Sequence, residues 1–185
     1  MQVQLKYLTF EEYVENEKHS QIRHEYLGGQ VYAMSGSSEE HNIIALNIST
    51  RLRSHLRGSS CRTFMSDMKL RIEATDAGYY PDVMVVCNPE DSDRYFKTSP
   101  CLIVEVLSPS TKSTDRREKL LAYKKIPSLQ EYVLVSQDET KIEIYRKDTQ
   151  GNWSLETLSK DDELSLNSVN LILTIPEVYE DIFTV

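Results

Sequence analysis

The sequence predicts one α/β domain, more strictly α+β, with a central mixed β-sheet held between helices. Three observations carry this expectation. Two short runs, Tyr79 to Val86 and Cys101 to Leu107, are rich in β-branched and apolar residues and bounded by turn formers, as strands covered on both faces are. Two longer segments, Glu39 to about Leu56 and about Ser113 to Lys125, read as helices. Through the middle of the chain the order is helix, three strands, helix, strand, which belongs to a sheet between helices.

The elements follow in order. Thr9 with Glu12 three residues on forms a capping box, so a short helix starts there and runs to about Lys18. Gly28-Gly29 is a hairpin turn between two extended segments, His24 to Leu27 and Gln30 to Met34. Ser35 to Ser38 breaks the strand and offers an N-cap. The helix from Glu39 carries Ile43, Leu46, Ile48, Leu52 and Leu56 as its apolar stripe, and Gly58 ends it. Cys61 to Phe64 and Met68 to Ile72 read as strands, and Asp76-Ala77-Gly78 turns into the Tyr79 run. Asn88 to Ser99 is a polar, mobile loop. After Leu107, Ser108 to Thr111 can start the next helix, which Ile126-Pro127-Ser128 stops. Glu131 to Val135, Lys141 to Tyr145 and Trp153 to Leu158 are strands of a C-terminal β-meander. Leu171 to Ile175 is a last apolar segment, and Pro176 opens a terminal helix. No repeat, low-complexity tract or linker divides residues 1–185, so they are read as one domain.

Composition narrows the classes. The 185 residues suffice for a real core. No apolar run approaches the roughly 20 residues that span a bilayer, so no membrane partner is expected. Met1 to Lys6 lacks a signal-peptide pattern, and the expected location is the cytoplasm. The 3 cysteines are odd in number and show no C-x-x-C pairing, so neither a disulfide nor a zinc site is expected. Cys87 and Cys101 read as small core residues. The net charge of −8 argues against a nucleic-acid surface. Two basic clusters argue the other way: Arg51, Arg53, Arg57 and Arg62, then Lys112, Arg116, Arg117, Lys119, Lys124 and Lys125. Each is either a solvated helix face or a phosphate contact.

The chemistry-bearing residues are Asp82, at the start of its strand, and Glu105, near the end of its own. A carboxylate inside an apolar strand is costly unless it is paired or binds a cation. If the two strands are antiparallel neighbours, both carboxylates reach one edge of the sheet. There they make a site for a hard divalent cation such as Mg²⁺.

Pro81-Asp82, Glu105 after 23 residues, and a helix carrying Lys119 sit on an α-β-β-β-α-β order that resembles the PD-(D/E)XK superfamily of restriction-endonuclease-like nucleases. More narrowly, Glu105 to Thr111, the Asp115-x-x-x-Lys119-x-x-x-Tyr123 helix, Glu131-Tyr132 and the Glu25 to Tyr32 hairpin look like the Uma-type family of bacterial restriction endonucleases. The resemblance implies a restriction-endonuclease-like core with an N-terminal hairpin. It also implies that Asp82 and Glu105 hold Mg²⁺ (Mn²⁺ as a substitute), with the Val106 carbonyl as a further ligand and Glu25 as a third acid. Its lysine slot, two residues after Glu105, holds Leu107. The Uma-type family carries its lysine on the following helix, which makes Lys119 the catalytic candidate. Asp115, Lys119 and Tyr123 share one helix face.

His41 and Tyr123 are supporting candidates, although a satisfied structural histidine and a core tyrosine are the simpler accounts. His19, His24 and His55 have no ligand spacing. Ser108, Ser110 and Thr111 read as helix caps, not nucleophiles. Lys112, Arg116 and Arg117 are candidates for DNA phosphates. The expected protein is therefore a Mg²⁺-dependent endonuclease acting on phosphodiesters, DNA first, as a homodimer. A nuclease fold that binds nucleic acid or protein without cleaving is the alternative, favoured by Leu107 and the acidic balance.

Overall fold

The computed structural model describes residues 7–109 and 112–183. Met1 to Lys6 lie outside them, as do Ser110 and Thr111, two of the three predicted capping residues. Helix α1, Phe10–Glu17, starts where the capping box predicts: Thr9 Oγ1 accepts from Glu12 N, and the Glu12 carboxylate accepts from Thr9 N. It buries Phe10, Tyr13 and Val14 against Tyr26. Strands β1, His24–Leu27, and β2, Gln30–Ala33, form the predicted hairpin. Gly28 and Gly29 both have positive φ, which glycine adopts without a Cβ penalty.

Helix α2, Glu39–His55, is capped by Ser38. Its buried side is Ile44, Ala45, Ile48 and Leu52, with Leu56 just beyond. Leu46, predicted as core, is 50% exposed, and Ile43 is only half-buried. The real stripe is rotated because Ile44 and Ala45, not Leu46, complete the spacing that Ile48 and Leu52 set.

The main sheet has six strands: β3, Arg62–Met65; β6, Val83–Val86; β8, Pro100–Leu107; β9, Glu131–Ser136; β10, Ile142–Lys147; and β11, Trp153–Leu158. They lie in the order β11-β10-β9-β8-β6-β3. All pairs are antiparallel except β8 with β9, which makes the sheet mixed. A parallel pair needs a crossover, and here it is a helix over residues 112–123 whose middle turn, Asp115–Lys119, is π-helical.

A second sheet, in the order β2-β1-β5-β4-β7, adds β4, Lys69–Ile72, β5, Ala77–Tyr79, and β7, Phe96–Lys97. Two expectations change here. The Tyr79–Val86 run is not one strand. It breaks over Tyr80-Pro81-Asp82, with β5 in the second sheet and β6 in the first. The Asn88–Ser99 segment is not a plain loop, because it supplies β7. Asp91 pins it by accepting from Thr98 N and Ser99 N, while the buried Lys97 donates to the Asp91 and Asp93 carbonyls.

A third hairpin pairs β12, Glu163–Leu166, with β13, Leu171–Thr174, and a helical turn, Ile175–Val178, follows. The buried Glu131 holds this region by accepting from Asn167 N, Ser168 N and Arg146.

The two faces of β8 divide the core. Leu102, Val104 and Val106 pack with α2 and the β12–β13 leucines. Ile103 and Leu107 pack with Tyr79, Ala122, Tyr123 and Leu129. Glu105 lies between Ile103 and Leu107 in the alternation, so it faces the helix over 112–123.

The cysteines correct the expectation of no disulfide. Arg62 pairs with Val86, so the same antiparallel register sets Cys61 beside Cys87, and their sulfurs are bonded. Cys101 stays a free, buried thiol, 3.6 Å from the Cys87 sulfur. A separation of 26 residues gave no hint of this pairing, because it depends on which strands are neighbours. Among the described residues no helix is long and apolar enough to cross a membrane.

Candidate active site

The strands of Asp82 and Glu105 are antiparallel neighbours, and Val83 pairs with Val104. Asp82 is therefore opposite Glu105, on the same face. Asp82 N donates to Glu105 Oε2 at 3.3 Å, and Val106 N donates to Asp82 Oδ2 at 2.7 Å. Glu105 is 3% exposed.

The helix over 112–123 crosses above this face and brings three side chains down onto it. Lys119 Nζ stands 3.2 Å from Glu105 Oε1, 3.2 Å from Asp115 Oδ1 and 3.1 Å from Glu25 Oε1. Tyr123 OH donates to Glu105 Oε1 at 2.7 Å. Glu25 arrives from β1, and Arg23 does not pair with it: that guanidinium bonds Ser66 O and Asp67 instead. His41, in the first turn of α2, places Nε2 3.2 Å from Asp82 Oδ2. The predicted Asp82, Glu105, Lys119, Glu25, His41 and Tyr123 are thus gathered in one place. A cavity of about 230 Å³ opens onto all of them but Tyr123, which is buried behind Glu105.

Leu107 occupies the slot where a lysine is missing, on the same face of β8 as Glu105, and is packed in the core beneath the helix. The helix supplies the ammonium that the strand does not.

The electrostatics follow from burial. Burial pushes the Glu105 carboxyl well above its ordinary range; Lys119 opposes the shift, and Asp82 and Asp115 add to it. Burial would lower Lys119, but the carboxylates of Glu105, Asp115, Glu25 and Asp82 outweigh it and hold the ammonium well above its ordinary value. Burial also works against a charged His41, yet the hydrogen bond and charge of Asp82 raise it. Four carboxylates thus face one lysine and one histidine.

Asp115 is the residue sequence reasoning left without a role. It is 1% exposed, and its Oδ1 makes no hydrogen bond although the Lys119 ammonium is 3.2 Å away. Its position four residues before Lys119, on the same helix face, was the available signal.

The predicted phosphate contacts are not gathered here. Arg116 is committed to Glu143 through two hydrogen bonds, at 2.9 and 3.1 Å. Lys112 and Arg117 are exposed. In the earlier basic cluster, Arg51 pairs with Glu177 and Glu180.

Such a donor set, all hard oxygens around surplus negative charge, fits a divalent cation. No three His, Cys, Asp or Glu side chains among the described residues are already drawn around one cation position. The Lys119 ammonium is the positive charge that Glu25, Glu105 and Asp115 share.

A mixed sheet with opposed Asp and Glu on adjacent strands, crossed by a lysine-bearing helix, defines a nuclease-like fold of the restriction-endonuclease kind. The chain belongs to the Uma2 family, described as "Putative restriction endonuclease", whose model matches residues 10–176. It is 40% identical over 173 residues to the uncharacterized protein slr1290 of Synechocystis sp., across 93% of this chain and 91% of that one. A second Synechocystis protein, the uncharacterized sll1609, is 35% identical over 156 residues, across 83% and 88% of the two chains. The fold matches the crystal structure of a "putative nuclease belonging to DUF820" from Anabaena variabilis, with a TM-score of 0.73, 18% identity, and 90% of this chain and 96% of that one covered.

Proposed function

We propose that this protein is a Mg²⁺-dependent endonuclease that hydrolyses phosphodiester bonds in DNA. The observation that carries the reading is the cluster of Glu25, Glu105 and Asp115 around a single lysine, with Asp82 beside Glu105, which gathers four carboxylates against one lysine and one histidine. Asp82, Glu105 and Glu25 are the residues that would hold the cation, with Mn²⁺ as a substitute and the Val106 carbonyl as a further ligand. A bound divalent cation polarises a phosphoryl oxygen and lowers the pKa of a water.

The chain's own groups do the rest. Tyr123 and the Lys119 ammonium hold Glu105 Oε1, which leaves Oε2 beside Asp82. Val106 N and His41 fix Asp82. Lys119 itself lines the cavity that a phosphate would enter. There it offsets the charge that grows on the phosphate oxygens.

A homodimer, with one site for each strand, fits the reading. Its surface is the outer strand β11, where Leu155 is exposed and Trp153 half-buried. A cytoplasmic location is part of the same proposal.

A second reading, a nuclease fold that binds without cleaving, is favoured by Lys119 already standing between Glu25, Glu105 and Asp115. Supercoiled plasmid incubated with Mg²⁺ or Mn²⁺ separates the two. The parent is expected to nick it. Asp82→Asn should lose at least about 10³-fold in rate, and Lys119→Ala about 10²- to 10³-fold, the scale seen when one transition-state donor is removed. Activity that survives Asp82→Asn would mean a contaminant. No nicking together with no Mg²⁺ binding by calorimetry would leave the binding module.

A further inference from the structure

Beside the carboxylate cavity lies a second one of about 400 Å³. The two share Arg23, Ser35, Gly36 and Tyr80 in their walls. Lys69, at the start of β4, lines the second.

Lys69 is 8% exposed, and its ammonium makes no hydrogen bond or ion pair among the described residues. Its recorded neighbour is the Tyr80 ring, 5.2 Å from Nζ. Lysine usually buries its stem and keeps its head in water. An ammonium at the head of a largely buried side chain, with no protein partner and little water around it, favours an anion that enters the cavity.

The nearby acids do not supply that partner. Glu17 is spent on His24 and Tyr80: Oε2 accepts from His24 N at 3.2 Å and Tyr80 OH at 2.8 Å, and Oε1 meets His24 Nδ1 at 2.8 Å. Asp67 is exposed and bonds Arg23 at 3.0 Å. Burial lowers the Lys69 ammonium despite the pull of both acids. The exposed Arg23–Asp67 pair is the kind that exchanges easily, so Arg23 can turn to an incoming anion.

We infer that Lys69 and Arg23 form a phosphate subsite that holds a backbone phosphate of the nucleic-acid substrate next to the one presented to Asp82 and Glu105. The inference rests on the nuclease reading above, since it makes the second cavity an extension of the substrate path. Tyr80 lies two residues before Asp82 and walls both cavities, so a strand leaving the carboxylates passes directly into it.

The test reads Lys69 directly. Lys69 is acylated with a small amine-reactive reagent and followed by peptide mass spectrometry. The protein is alone, with inorganic phosphate, or with a DNA duplex in Ca²⁺. Phosphate and duplex should both protect Lys69. Lys69→Gln should weaken duplex binding about 3- to 10-fold and lower the salt slope by about 1, as loss of one phosphate contact does. Lys69→Arg should restore most of the binding, and Lys160→Gln, an exposed control, should change nothing. Lys69→Gln should melt no lower than the parent, because it removes an unpaired buried charge. Protection by phosphate without protection by duplex would overturn the assignment to nucleic acid. Duplex binding and cleavage with Lys69 unprotected would overturn the subsite while the nuclease stood. A parent that neither binds nor cuts duplex would sink both readings.

Discussion

Glu105 concentrates the chemistry of the site. It is a glutamate at a core position of a central strand, held by Tyr123 OH, the Lys119 ammonium and Asp82 N. Because burial raises its pKa above the ordinary 4.5, its stability contribution is present below that value and is lost as pH rises through the folded value. His41, raised above 6.5, has the same sign in a higher window. The metal-free protein should therefore lose stability as pH climbs from about 4.5 through neutrality, by up to about 1.4 kcal/mol per pH unit for each proton. Glu105→Gln should flatten the lower part of that slope. Saturating Mg²⁺ should flatten it too, because a cation competes with the proton. Urea midpoints across this range in EDTA and in Mg²⁺ decide the matter. An unchanged slope in Glu105→Gln would mean that the carboxyl titrates normally.

At the scale of elements, three devices position the site. The β1–β2 hairpin delivers Glu25, the break at Tyr80-Pro81-Asp82 puts Asp82 where two sheets meet, and the π-helical turn carries Asp115 and Lys119. Such turns recur at functional sites. The Cys61–Cys87 bond ties β3 to β6, the strand that follows Asp82. Closing a 26-residue separation stabilises by about 3.5 kcal/mol in the chain-entropy account. Denatured, unreduced protein should titrate with one free thiol, Cys101. Reduction, or Cys61→Ser with Cys87→Ser, should lower the melting temperature clearly. Three free thiols before reduction would remove the cross-link.

For the whole molecule, the charge of −8 and the proposed polyanionic substrate pull against each other. The structure ties up part of the basic charge internally, through Arg116–Glu143 and Arg51 with Glu177 and Glu180. On the proposed function, phosphate contact would fall to fewer cations, Lys69 and Arg23 among them. Dimerisation would set two such sites on one duplex. Sedimentation equilibrium should report about twice the 21.4 kDa chain mass, and Leu155→Lys on the open strand β11 should return it to the monomer. A parent that sediments as a monomer at micromolar concentration would remove the dimer.

Local sequence by itself determined the capping box at Thr9, the Gly28-Gly29 turn, the apolar β8 and β9, and the Asp115-Lys119-Tyr123 face. Each depends on neighbours within a few residues, where spacing and turn chemistry decide. Even the opposition of Asp82 and Glu105 was legible, because their positions at opposite strand ends fix it once the strands are antiparallel. Only the tertiary structure decided the rest. Which strands are neighbours set the Cys61–Cys87 bond. The meeting of two sheets split the Tyr79–Val86 run and pinned the Asn88–Ser99 segment with β7. The placement of β1 brought Glu25 to Lys119, and that of β4 left Lys69 without an ion-pair partner among the described residues. These are contacts between residues far apart in sequence, and their energies come from burial and charge pairing that no local pattern encodes.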